Sequence, residues 1–307
     1  MARLDLTGLT GYHPLGFLAA CGVLRCATAE GYLDAQLAWK RPDDGSGWIA
    51  TFHAANADLD ELVAVLIARA KKQQQLPALT WSAKIDDPSG YKQLGSALIA
   101  CADAERDDES LAFLPALASD LIRTRKNRLQ PTWLDLTSGA QRFLSSIRRL
   151  SVDLCAGPSV SQADAFREAL CGPWKYRDDA HSMGWDPQMQ RLHALRHRLP
   201  EKDEKNRCVR GAVFLASQAL PLFPCFAVGG KLRTTCVHRD GEHDWFAWPI
   251  WGHPIGIDTL RSLLGQALNR DLQRRGVELA YRCRIEHSGG SEGNYRVFGN
   301  AEEVFMQ

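Results

Sequence analysis

Between Arg210 and Lys231 the chain runs for 20 residues without a charge. A stretch this apolar must leave water, and by length alone it would suit a membrane span. Pro221 and Pro224 stand in it, together with Ser217, Gln218 and the closing Gly229-Gly230 pair. Proline removes a backbone donor and clashes with the preceding turn, so one continuous helix is excluded. The reading that survives is a buried helix over 211–220 followed by a buried strand near 224–228. Such a segment needs a hydrophobic core around it, and a chain of 307 residues that is 45% apolar can supply one.

A second apolar segment lies near the N-terminus. Pro14 suits the first turn of a helix that runs to about Ala29. Its apolar residues Leu15, Phe17, Leu18, Val23 and Leu24 fall on more than one side, which predicts deep burial. Strand-like runs at 36–39 and 48–53 flank the turn Pro42-Asp43-Asp44-Gly45. Helices are predicted from a cap at Asp58, over 89–104, over 109–123 and over 138–150. Residues 156–210 read as ordered loops. Beyond them come strands near 231–238, 244–249, 278–286 and 294–298, and a helix over 257–274. The fold class is α+β. Its N-terminal α/β and helical region (1–155) ends in a basic segment, and a mixed region with short antiparallel strands (156–307) follows. The two regions are separate domains or one continuous domain.

The nine cysteines include no CxxC pair, and Met1-Ala2-Arg3-Leu4-Asp5 carries charge but does not read as the start of a secretory signal, with no apolar core directly after it. Reduced thiols in a cytoplasmic protein are the expectation, with most cysteines acting as small apolar residues.

The formal net charge of +1 excludes a globally basic nucleic-acid binder but conceals a segregation. Residues 1–120 carry 10 basic and 16 acidic side chains, whereas residues 121–150 carry 7 and 1. The concentrated set is Arg123, Arg125, Lys126 and Arg128, then Arg142, Arg148 and Arg149, with Trp133 and Phe143 between them. Guanidinium and ammonium groups neutralise phosphates, and an aromatic face can stack a base. The plainer alternative is a solvated loop and a helix end that complements its own dipole. A second set (Arg191, Arg196, Arg198, Lys202, Lys205, Arg207 and Arg210) is diluted by acids and reads as an exposed loop. In a third, Lys231, Arg233 and Thr235 would share one face of a strand. The aromatic run with Trp245, Trp248 and Trp251 reads as core packing or, more sharply, as a stacking wall or docking surface.

Metal and catalytic patterns are weak. His193 and His197 are spaced for one helical face, and Cys225, Cys236, His238 and His243 match no familiar zinc module. Asp178, Asp179, His181 and Asp186 could converge in a nuclease, although acids beside Gly184 and Pro187 are ordinarily turn formers. The expectation is no metal and no cofactor. Walker, Rossmann and GxSxG patterns are absent.

Five segments together resemble the CRISPR-associated proteins of the type I-G group, formerly I-U. Residues 7–20, Thr7-Gly8-Leu9-Thr10-Gly11-Tyr12-His13-Pro14-Leu15-Gly16-Phe17-Leu18-Ala19-Ala20, resemble its N-terminal signature "GL…PLGFLAALGxLR". His181-Ser182-Met183-Gly184-Trp185-Asp186-Pro187 resembles "SLxWDP", and Ala219-Leu220-Pro221-Leu222-Phe223-Pro224 resembles "ALPLFP". Lys231-Leu232-Arg233-Thr234-Thr235 resembles "LRTT", and Phe246-Ala247-Trp248-Pro249-Ile250-Trp251 resembles "FTWPLW". They occur in the family's order. The resemblance implies a large-subunit-like member of an RNA-guided surveillance complex (Cascade). Such a subunit sits near the crRNA 5′ handle, reads the motif flanking the target, helps open the duplex and helps recruit the helicase-nuclease.

The expectation is therefore a non-enzymatic subunit whose partners are crRNA, target double-stranded DNA, other Cascade subunits and the helicase-nuclease, with no membrane. Arg123, Arg125, Lys126, Arg128, Arg142, Arg148 and Arg149 would contact phosphates. Lys231 and Arg233 would line a second strand or the handle, and Trp133 or an aromatic of 245–251 would stack. The alternatives are a metal-dependent nuclease or RNA-processing enzyme, and an assembly protein that binds only other subunits.

Overall fold

A computed structural model describes residues 1–45, 47–81, 85–105, 108–137, 140–179, 182–188, 207–266, 268, 270–290 and 293–304. Strand β1 (Ala2–Thr10) leads into helix α1 (Pro14–Ala29) and then into β2 (Gln36–Lys40) and β3 (Ile49–Ala54). These strands form an antiparallel sheet in the order β1-β3-β2. Helices α2 (Leu59–Gln73), α3 (Pro77–Thr80), α4 (Pro88–Glu105) and α5 (Glu109–Leu117) follow. A hairpin of β4 (Ala118–Arg123) and β5 (Leu129–Pro131) precedes α6 (Ala140–Cys155) and α7 (Ser159–Cys171). Helix α8 (Arg210–Ala219) then enters a second hairpin, β6 (Cys225–Val228) and β7 (Lys231–Thr234). Strands β8 (Val237–Asp240), β9 (His243–Trp251), β10 (Val277–Gly290) and β11 (Gly293–Val304) make the C-terminal antiparallel sheet, ordered β11-β10-β9-β8. Short helices α9 (Ile257–Leu264) and α10 (Arg270–Gln273) connect β9 to β10. The fold is α+β.

Helix α1 is the axis of the core. Pro14 opens it, and the His13 ring Nδ1 accepts the Gly16 N–H at 3.4 Å, covering a donor that the helix cannot pair internally. Every residue from Pro14 to Ala27 is buried. Phe17 on this helix meets Trp39 of β2 at 6.0 Å between ring centroids and Trp248 of β9 at 5.6 Å. Two indole donors close the same joint. Trp248 Nε1 donates to the Gly11 carbonyl at 2.8 Å, and Trp251 Nε1 donates to the Leu37 carbonyl at 2.8 Å. One core thus draws on residues from Leu6 to Phe298. Each fully buried large apolar side chain in it contributes roughly 1.5–3 kcal/mol relative to exposure.

On its other side α1 lies directly against α8. A Cβ at Gly22 would fall 1.8 Å from the Leu215 carbonyl oxygen, so the two helices touch backbone to backbone. Nearby, a buried ionic cluster ties α1 to α2, α5 and α8. Arg25 and Arg69 both donate to Glu109 Oε1. Arg25 also donates to the Gln218 carbonyl at 3.1 Å, and Arg69 donates to Gln218 Oε1 at 3.0 Å. Burial alone would raise the Glu109 carboxyl, but the two guanidiniums outweigh it and hold the group below the ordinary carboxylate range. Burial likewise holds the thiols of Cys21 and Cys26 protonated, with Cys26 pushed up to about 12, so both act as small apolar residues.

Several expectations need correction. The helix predicted over 109–123 ends at Leu117, because Pro115 cannot donate in the last turn and the backbone is extended from Ala118. Within 156–210, Ser159–Cys171 is helical, anchored by Gln162, Phe166, Ala169 and Leu170. The run 231–238 is two strands in different sheets, parted where Cys236 takes a φ of 65°. The run 257–274 divides at Gly265, which ends α9. In the uncharged segment the helix is buried as expected, but β6 is largely exposed. Among the described residues no helix is long and apolar enough to cross a membrane.

Two stability predictions follow from this packing. Gly22→Ala forces α1 and α8 apart and costs at least roughly 1–3 kcal/mol of overpacking, read as a lower Tm by circular dichroism. Glu109→Gln strands two buried guanidiniums and costs about 3–5 kcal/mol in urea unfolding. In the native protein the Glu109 contribution is complete above its unfolded pKa of 4.5. It is lost as pH falls through the lower folded value, so the wild type loses more stability there than the Gln variant.

Candidate nucleic-acid interface

Where the chain leaves the helical layer at Ala118, the Tyr91 hydroxyl donates to the Leu114 and Ala118 carbonyls, at 2.9 and 2.8 Å. The β4/β5 hairpin then turns through Asn127, whose φ is 55°, with the Asn127 N–H donating to the Thr124 carbonyl at 2.9 Å. Arg123, Arg125, Lys126 and Arg128 are all exposed on it. Arg128 lies 3.6 Å from Asp86, whereas Arg123, Arg125 and Lys126 make no ion pair among the described residues. Asp120 of β4 is also exposed. Some of the acids in the first third are engaged elsewhere. Asp5 pairs with Arg3 and Lys40, Glu30 with Arg69 and Lys72, and Asp60 with Arg167.

The β6/β7 hairpin packs beside β4. The contact is polar and buried. The Trp133 N–H donates to Thr234 Oγ1 at 3.0 Å, and the Thr132 and Thr234 hydroxyls are 3.4 Å apart. Gly229 and Gly230, with φ of 56° and 72°, make the two-residue turn that needs positive φ at both positions. Phe226 pairs with Arg233, and Val228 with Lys231, so these four side chains share one face of the ribbon. Cys225, Leu232 and Thr234 lie on the opposite face, where Leu232 and Thr234 are buried. Two basic groups that are about a hundred residues apart in sequence therefore lie on adjoining hairpins. Phe226 is 46% exposed, and Val228 and Leu121 are more open still, at 53% and 76%. Sequence reasoning missed Phe226. The signal was available in the alternation Cys225-Phe226-Ala227-Val228 before a Gly-Gly turn.

The remaining candidates separate. Arg148 and Arg149 are exposed on α6, which packs on α2, α3, α7 and α8, and Arg149 faces Asp153 at 3.7 Å. Trp248 and Trp251 are not a stacking wall. They are buried in the joint beside α1, with their indole donors already committed. Trp245 is half-buried beneath the Arg282 guanidinium, 4.1 Å from its ring centroid, and Trp133 lies under Arg296 at 5.8 Å. The side chain of Arg142 lies outside the described residues, as do His181, His193, His197, Arg191, Arg196, Arg198, Lys202 and Lys205.

The acids proposed for a nuclease hold different partners. Asp178 lies 3.1 Å from Arg210 and accepts its backbone N–H at 3.0 Å, capping α8. Asp186 is buried with Oδ1 3.4 Å from His13 Nε2, which joins two of the motif segments at the start of α1. Cys225 faces Thr234, Cys236 reaches the Leu264 carbonyl, and His243 meets Arg284. Among the described residues no three His, Cys, Asp or Glu side chains are grouped to hold a metal.

Thr234→Val removes the buried acceptor that registers the two hairpins. The expected cost is about 1–3 kcal/mol, the penalty for leaving the Trp133 N–H unpaired, measured by urea unfolding. No protein-family model matches this chain, and no curated protein matches it.

Proposed function

We propose that the chain is a non-enzymatic, nucleic-acid-binding subunit of a type I CRISPR surveillance complex, large-subunit-like in role. It contacts the crRNA 5′ handle and target DNA near the flanking motif and helps recruit the helicase-nuclease. The observation that carries the nucleic-acid part is the adjacency of the two basic hairpins, with Arg123, Arg125, Lys126 and Arg128 on one and Lys231 and Arg233 on the other. Local positive charge of this kind attracts phosphate even on a chain of net charge +1. The CRISPR setting rests on the five segments, one of which, Lys231–Thr235, contains β7 itself. A subunit held within an assembly works with a local basic strip and needs no basic surface overall.

A second reading is an assembly protein that binds only other subunits. Phe226 and Val228, exposed side by side on one face of β6, favour it, because apolar side chains gathered on one surface mark docking sites. The two readings part on one experiment. Arg125→Glu, Lys126→Glu and Arg128→Glu together should weaken target DNA binding by the assembled complex. They should also flatten its log–log salt dependence by about 0.9 per lost duplex-phosphate contact. An assembled complex with unchanged affinity and slope overturns the phosphate assignment and leaves the docking reading.

A further inference from the structure

Resting on that reading of the hairpins, we infer that the outward face of β6/β7 takes a single-stranded polynucleotide, with Phe226 stacking an unpaired base between Arg233 and Val228. The face is a two-by-two array of an aromatic, an aliphatic and two cations. Phe226 lies opposite Arg233, and Val228 lies opposite Lys231. Cross-strand partners of this kind have Cβ atoms about 4.5–5.5 Å apart, so each apolar side chain stands beside a cation. A base on Phe226 would have its phosphate within reach of Arg233, and the next phosphate would meet Lys231.

The spacing favours a strand over a duplex. Successive rows on one face of a β-ribbon repeat every two residues, about 7 Å. That is about twice the 3.4 Å rise per nucleotide of a stacked duplex strand. An extended, unstacked strand matches the rows, and its bases present the π-faces that a duplex hides. The ribbon is free to enter such a strand. Nothing lies within 4 Å of a Cβ built at Gly229 or Gly230, so the turn projects from the surface. Burial of Leu232 and Thr234 on the inner face fixes the ribbon to the protein while the outer face stays open. An exposed Phe beside two cations fits a charged polymer with aromatic units. A purely apolar partner would leave Lys231 and Arg233 desolvated.

The test uses the full chain and fluorescence anisotropy with labelled poly-dT, poly-U and a duplex of equal length. Wild type should bind the single strands more tightly than the duplex, and comparison of poly-dT with poly-U identifies DNA or RNA as the source. Phe226→Ala should weaken single-strand binding about 5- to 150-fold with an unchanged salt slope, since stacking releases no counterions. Phe226→Trp should retain binding. Lys231→Glu with Arg233→Glu should instead flatten the slope, by about 0.7 per lost contact. Phe226 and Lys231 are exposed and Arg233 is half-buried, so Phe226→Ala should melt with the wild type, and Lys231→Glu alone serves as the charge variant should the double variant melt lower. Unchanged single-strand binding by Phe226→Ala overturns the stacking inference. If the charge variants still flatten the slope, the hairpin reading survives without it, and if neither set changes binding, both fall. Equal affinity of wild type for strand and duplex also overturns the inference.

Discussion

The backbone contact between α1 and α8 at Gly22 is the constraint on which the rest of the molecule depends. A helix with no exposed stripe must be covered on every side, and here strands and helices from distant parts of the chain share the covering, α2 among them. The β1–β3 sheet and Trp39 take one side, the β9 aromatics take another, and α8 closes a third at van der Waals distance. Any side chain at position 22 would hold α8 away and open the joint along its length. Because β6 follows α8 after one turn of helix at Leu220–Leu222, the position of the exposed ribbon is inherited from that contact.

The ionic cluster around Glu109 adds a different kind of specification. Ion pairs in a core are not strong stabilisers, since desolvation offsets much of their attraction. They are exacting about partners, however. Arg25 on α1, Arg69 on α2, Glu109 on α5 and Gln218 on α8 can satisfy one another only in one mutual arrangement. The arrangement fixes the start of α5, and through that short helix the start of β4, relative to α8 and β6. Packing along α1 and polar matching at Glu109 thus act on the same two hairpins.

Much of the fold was legible in the sequence. The Pro14 helix, the Asp58 cap and the buried helix of the uncharged segment were read from patterns that local physics makes distinct. What escaped reading was decided by partners far away in the chain. The helix over 159–171 has only a few inward residues, and its burial depends on β1 and α8. The α5-to-β4 switch was hidden because Leu121 and Ile122 continue an apolar pattern past Pro115. At the candidate site, composition identified both basic groups but not their adjacency, which rests on Thr132, Trp133 and Thr234. The tryptophans drew attention through residue type, yet the open aromatic is a phenylalanine whose exposure follows from strand register.

Both hairpins leave the body of the protein and return to it at nearly the same place. Ala118 is paired with Pro131 and Cys225 with Thr234 at their roots, and the register of β4/β5 is irregular between root and tip. A loop closed at its root can change in length or charge without moving the helices that carry it. The tips are therefore the part of this fold that can diversify fastest, with Gly22 and Glu109 holding the frame constant while the surface they present is rewritten.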